Sequence, residues 1–194
     1  MIVLGVDPGS LKTGVGIIDA TQSSIVHLKH DVILLPKHYE IADRIKLIYD
    51  RLADLIQEYN PVKLSLETSF YGKNAQSALK LGQVRGAIMV LAKNLNLQLI
   101  EYSPREVKKI ITGNGAASKE QVAFMIKSLL NLPQLPNPFD ASDALGLAVC
   151  EALKSKYNSL NQGELNGVKL KKSRKQSSSW SHFLQYNTHK IISG

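Results

Sequence analysis

An apolar run, Ile2-Val3-Leu4-Gly5-Val6, ends on the carboxylate Asp7, and the pattern returns further on where Leu64-Ser65-Leu66 ends on Glu67. Short apolar runs bounded by turn signals read as buried strands. A carboxylate closing such a run is costly unless it is paired or put to use. In an α/β sheet the carboxyl ends of adjacent strands converge on one crevice. Two acidic strand ends therefore predict an α/β fold with a polar site at one edge.

The pattern between and after these strands fills in the rest. Asp7-Pro8-Gly9-Ser10 is a turn signal, and Thr13–Ile18 and Ile25–Leu35 read as strands, giving an antiparallel opening. From Ile41 the period becomes helical, with Ile41, Ile45, Ile48, Leu52, Leu55 and Ile56 on one face, until Asn60-Pro61. A strand at Val62–Glu67 leads to a helix over Ala75–Asn94, and a fifth strand covers Leu97–Glu101. Ser103-Pro104 opens a helix with Pro at its first position, and Ser118 caps another running to about Leu130. Pro133, Pro136 and Pro138 form a stiff connection, and a last helix is expected over Phe139–Ala152.

Two more acids, Asp140 and Asp143, fall near the start of that helix. Three residues apart, their side chains share a face, about 5–6 Å apart at Cβ. Taken alone they read as acids favoured by the helix dipole, Asp7-Pro-Gly as a turn opening, and Glu67 as a surface acid at a strand end. Together the four would concentrate negative charge on one crevice, which calls for hard cations such as Mg²⁺ or Mn²⁺. Two such ions suit in-line displacement at phosphorus, hence phosphodiester hydrolysis. The histidines (His27, His30, His38, His182, His189) show no ligand spacing with these acids, and Cys150 reads as core packing.

The formal net charge of +8 is unevenly spread. Residues 1–153 carry 16 Lys and Arg against 15 Asp and Glu, whereas 154–194 carry 8 against Glu164 alone. The expectation is a nuclease domain over 1–153 and a basic, disordered tail over 154–194. With one cysteine, no disulfide forms within the chain. No signal peptide or membrane-length apolar run is present, so no membrane partner and a cytoplasmic location are expected.

Several blocks resemble one family. Leu4-Gly5-Val6-Asp7-Pro8-Gly9-Ser10 with Thr13-Gly14-Val15-Gly16, Ser77–Gly86, Pro104–Lys109, Gly113–Val122 and Asp140-Ala141-Ser142-Asp143-Ala144-Leu145 are similar, in order, to the RuvC Holliday-junction resolvases. The resemblance implies a ribonuclease H-like fold, a five-stranded mixed sheet with flanking helices. It implies a homodimer making paired symmetric nicks in four-way junction DNA, with RuvA and RuvB as partners in recombination and repair. Asp7, Glu67, Asp140 and Asp143 correspond to the metal-binding catalytic acids, with two Mg²⁺ per site and Mn²⁺ able to substitute. Lys108 and Lys119 fall on basic positions beside the cut strand, where positive charge offsets charge in the transition state. Phe70 matches an aromatic placed against junction bases, a role open to Tyr71 as well; packing of the loop onto the core is the alternative. Lys73, Lys80 and Arg85 are expected at phosphates. Ala75, Ala78, Leu79, Gly82 and Gly86 suit close two-fold pairing of helices, or equally a helix tight against its own sheet.

Three other readings compete. A related nuclease acting on RNA–DNA hybrid or structured RNA would need 2′-hydroxyls. An actin-like ATP-binding protein would use Asp7-Pro-Gly-Ser as a phosphate loop, but needs two lobes. A non-catalytic DNA-binding scaffold is at odds with four acids, which repel DNA unless they hold metal.

Overall fold

The structure, a computed structural model, describes residues 1–68 and 75–165, with side chains up to residue 159. Its element order is β1 (Ile2–Asp7), β2 (Lys12–Ala20), β3 (Ile25–Leu34), α1 (Ile41–Tyr59), β4 (Lys63–Glu67), α2 (Ala75–Asn94), β5 (Gln98–Tyr102), α3 (Pro104–Thr112), α4 (Lys119–Leu129) and α5 (Phe139–Leu165). The strands form one mixed sheet in the order β3-β2-β1-β4-β5. β1, β2 and β3 are antiparallel neighbours, whereas β4 runs parallel to β1 and β5 parallel to β4. A parallel neighbour requires a crossover, which α1 and α2 supply. The parallel strands carry both acidic ends to the same edge.

Alternation along the strands divides the interior in two. Leu4, Val6, Leu64 and Leu66 face α1 and α2, where they join Ile48, Leu52, Ile88 and Leu91. Val3, Ile18 and Tyr102 belong to the opposite core with Val107, Ile111, Ile126 and Leu145 of α3, α4 and α5. Asp7 shares the parity of Val3 and so turns toward α5. Ser103 and Ser118 each close a capping box, with Glu106 and Gln121, and Asn60 ends α1 in the left-handed region at φ 50°. Cys150 is buried.

Glycines let α5 lie directly on the sheet. A Cβ on Gly5 would fall 2.0 Å from the Ala144 carbonyl oxygen, and one on Gly14 would fall 2.0 Å from that of Asp140. On Gly16 it would meet the Leu145 backbone nitrogen at 2.6 Å. The helix answers with Ala141, Ala144 and Ala148, all buried.

One boundary differs from expectation. The last helix does not stop near Ala152 but reaches Leu165, so the expected division after Leu153 falls inside it. Its extension, Lys154–Leu165, is mostly polar in sequence, with Tyr157, Leu160 and Leu165 its only large apolar residues. That leaves no apolar period for a sequence reading to detect. Beyond Leu165, the expected tail lies outside the described residues. Among the described residues, no helix is long and apolar enough to cross a membrane.

Candidate active site

At the carboxyl edge of the parallel strands, a crevice of about 390 Å³ is lined by Asp7, Glu67, Lys108, Lys119 and Asp143, with Pro104, Val107, Val122 and Leu147 as its walls. Each polar group arrives on a different element. Asp7 ends β1 and Glu67 ends β4, its parallel neighbour. Asp143 lies one turn into α5, Lys108 on α3, and Lys119 is the first residue of α4 behind the Ser118 cap.

Electrostatics ties the acids together. Burial pushes the Asp7 carboxyl up to about 8, helped by the negative charges of Glu67 and Asp143, a hydrogen bond with Glu67, and the charge of Asp140. Two carboxyls hydrogen-bond only if one keeps a proton, so this pair holds a proton where neutral solution would strip it. Lys119 Nζ donates to Asp143 Oδ2 at 2.7 Å. That bond, with the charges of Asp143, Asp7 and Glu67, raises the Lys119 pKa against the opposing effect of burial.

The residues fit a hard divalent cation by their chemistry. The donors are carboxylate oxygens, and a half-buried acidic pair sharing a proton is a place where a cation can replace that proton. Among the described residues, no group of three His, Cys, Asp or Glu is drawn together closely enough to form a ready ligand cage. Side-chain closure would be needed to complete one.

The expected residues divide as follows. Asp7, Glu67, Asp143, Lys108 and Lys119 share the crevice. Asp140 stands half-buried at the helix start, off the crevice lining but near enough to act on Asp7. Lys80 is exposed on the first half of α2. Arg85 must be corrected: it is 9% exposed and its guanidinium is ion-paired with Glu101 of β5. A buried, paired guanidinium ties α2 to the sheet and does not reach a phosphate. Phe70, Tyr71 and Lys73 lie outside the described residues. The small residues of α2 face away from the sheet, for nothing lies within 4 Å of a Cβ built on Gly82 or Gly86. His27 Nε2 and His30 Nδ1 meet at 2.8 Å on the edge strand β3, apart from the crevice.

A mixed sheet in this order, helices on both faces, and acids from two parallel strand ends facing acids at a helix start define a ribonuclease H-like nuclease. The particular family follows from comparison, since the sequence model of crossover junction endodeoxyribonuclease RuvC matches residues 3–151. The chain belongs to the RuvC family. A RuvC of Chloroherpeton thalassium is 46% identical over 192 residues, covering 99% of this chain and all of that protein. One from Prosthecochloris aestuarii is 52% identical over 153 residues, 79% of this chain and 82% of the relative. Among solved structures, Thermus thermophilus RuvC in complex with Holliday junction substrate superposes with a TM-score of 0.77 at 28% identity, over 82% of this chain and 97% of that one.

Proposed function

We propose that the protein is a Holliday-junction resolvase, a divalent-metal-dependent endonuclease that makes paired, symmetric nicks in four-way DNA junctions during recombination and repair. The observation that carries this reading is the half-buried Asp7–Glu67 pair, facing Asp143 and Lys119 in one crevice, in a chain of the RuvC family. Asp7, Glu67, Asp143 and Asp140 would hold Mg²⁺, or Mn²⁺ in its place, two ions per site. Bound there, the cations supply an activated water and stabilise the leaving oxygen. Lys119 and Lys108 hold the scissile phosphate and offset charge that grows on it in the transition state. Phe70 and Tyr71 are assigned to junction bases, and Lys73 and Lys80 to phosphates.

A homodimer matches the two-fold symmetry of the substrate. Its support is the outward face of α2, where Leu79 and Val90 are 66% and 56% exposed and Gly82 and Gly86 have open space before them. Small residues there allow a second helix to approach closely. Action in the cytoplasm alongside RuvA and RuvB completes the reading.

The deciding experiment is cleavage of a labelled four-way junction with Mg²⁺, beside matched duplex and RNA–DNA hybrid. Paired nicks confined to the junction are expected. Preferential cutting of the hybrid would transfer the protein to the RNA-directed reading.

Beyond Leu165 the chain holds six Lys and Arg and no acid. This segment is assigned to non-specific, salt-sensitive DNA affinity. Truncation after Leu165 is expected to flatten the dependence of log K on log salt, by about 0.9 for each phosphate that is no longer neutralised. An unchanged slope would remove the segment from the DNA interface.

A further inference from the structure

Two turns along α5 from Asp143 stands another acid, Glu151, which does not line the crevice. It is 5% exposed, yet its carboxylate is fully engaged. Oε1 accepts from Lys63 Nζ at 2.6 Å and from Ser155 Oγ at 2.6 Å, and Oε2 accepts from the Tyr102 hydroxyl at 2.5 Å. Lys63 Nζ also donates to Ser155 Oγ at 2.8 Å. One turn nearer the crevice, Ser65 Oγ donates to the Leu147 carbonyl at 2.9 Å.

These bonds join two rows. Lys63, Ser65 and Glu67 alternate onto one face of β4, and Asp143, Leu147 and Glu151 follow at four-residue spacing along one face of α5. Side by side, the rows end at Glu67 and Asp143. Tyr102 adds a link from β5, where it pairs with Glu67 in the ladder and its carbonyl accepts the Thr68 N–H at 2.8 Å.

The rest of the α5 seat is mainly apolar, with Leu145, Leu147 and Val149 packed in one core with residues of α3 and α4. Against β1 and β2 the helix rests its alanines on glycines, a smooth surface that permits closeness without interlocking. Burial of apolar surface is non-directional, whereas hydrogen bonds fix position along an axis. A slip of one residue moves a helix by about 1.5 Å, and misplacement of about 1 Å at a reacting centre can cost about 100-fold in rate.

We propose that Glu151, held by Lys63 and Tyr102, is a positioning residue that sets the axial register of α5 on β4 and so places Asp143 opposite Asp7 and Glu67. The proposal rests on the metal-dependent nuclease reading. Its test compares the full-length protein with Tyr102→Phe and with the paired change Lys63→Met/Glu151→Leu. Replacing a buried ion pair by apolar residues is often neutral for stability, which separates register from stability. Single-turnover junction cleavage, junction Kd, melting temperature and calorimetric Mn²⁺ binding to the protein alone are measured.

For the paired variant, junction Kd is expected to stay near wild type and melting temperature to fall by a few degrees, because the buried Tyr102 hydroxyl loses its acceptor. Cleavage is expected to fall about 30- to 100-fold and Mn²⁺ affinity about 10-fold. Tyr102→Phe follows in the same direction, about 5- to 10-fold in both readouts, within the range for groups supporting a metal site. A folded paired variant with wild-type cleavage and Mn²⁺ affinity overturns the proposal, as does activity that falls only in step with melting temperature. If the pair fails to fold, Tyr102→Phe decides alone, and wild-type values for it refute the latch. A wild-type protein that neither cuts junctions nor binds Mn²⁺ would instead refute the underlying metal-site reading.

Discussion

Asp7→Asn is expected to lower junction cleavage by about 1000-fold or more while making the protein more resistant to heat. Both effects come from the same carboxyl. In the folded chain burial and neighbouring acids push Asp7 up to about 8, against 3.8 as its ordinary value. Between those values the folded state keeps a proton that the unfolded state has released. Stability conferred by a proton held only in the native state declines as pH rises, so the contribution of Asp7 to stability falls from about pH 4 to pH 8. Asparagine does not titrate, and it hydrogen-bonds to Glu67 without a shared proton. The variant is therefore expected to melt higher than wild type at pH 8, by about 2–4 °C for each kcal/mol relieved, with the gap narrowing at pH 5. Saturating Mg²⁺ should raise wild type more than the variant, because only wild type keeps the full acid set. Thermal melts at the two pH values, with and without Mg²⁺, check this. A variant that melts no higher than wild type at pH 8 would mean that the crowding of acids carries no cost.

Gly14→Ala is expected to damage catalysis by about 100-fold, although Gly14 has no side chain to touch a substrate. It sits directly across the β1–β2 ladder from Asp7. The added Cβ would lie 2.0 Å from the Asp140 carbonyl oxygen and 2.5 Å from the carbonyl carbon. Backbone cannot swing aside as a side chain does, so the start of α5 must lift. Overpacking of this kind costs about 1–3 kcal/mol, and displacing the helix that bears Asp140 and Asp143 costs about 100-fold in cleavage. Junction Kd should change much less, since the proposed phosphate contacts extend beyond the crevice. A variant with wild-type cleavage would show that the helix start tolerates the shift. Gly82→Ala is the matching control for stability of the single chain, because a Cβ there meets open space.

The contrast between these two glycines marks what a sequence reveals. Asp7 and Glu67 are legible because an acid at the end of an apolar run violates a local pattern, and Ser103 and Ser118 because capping is written within four residues. Gly14 reads only as a component of a strand. Its role comes from a helix that passes over it more than a hundred residues later, and no local pattern announces that crossing. Arg85 misleads for a similar reason: on α2 it looks like a surface cation, and only the sheet places Glu101 beneath it. Glu151 does leave a signal, as an acid inside the apolar stretch Leu145–Leu153. Spaced eight residues from Asp143, it falls on nearly the same helical face. Its partners Lys63 and Tyr102 become neighbours only through the parallel strands.

The length of α5 has a consequence for how DNA is spanned. Its 27 residues make a rod of about 40 Å, with Asp140 at one end by the crevice and Leu165 at the other. Forty ångströms of duplex is about a dozen base-pair steps. The six cations that follow Leu165 thus set out from a point remote from the cut strand. On the proposed reading, salt-sensitive grip would start from the far end of the strut that carries the acids, so a change beyond Leu165 would alter how firmly a junction is held more than how it is cut.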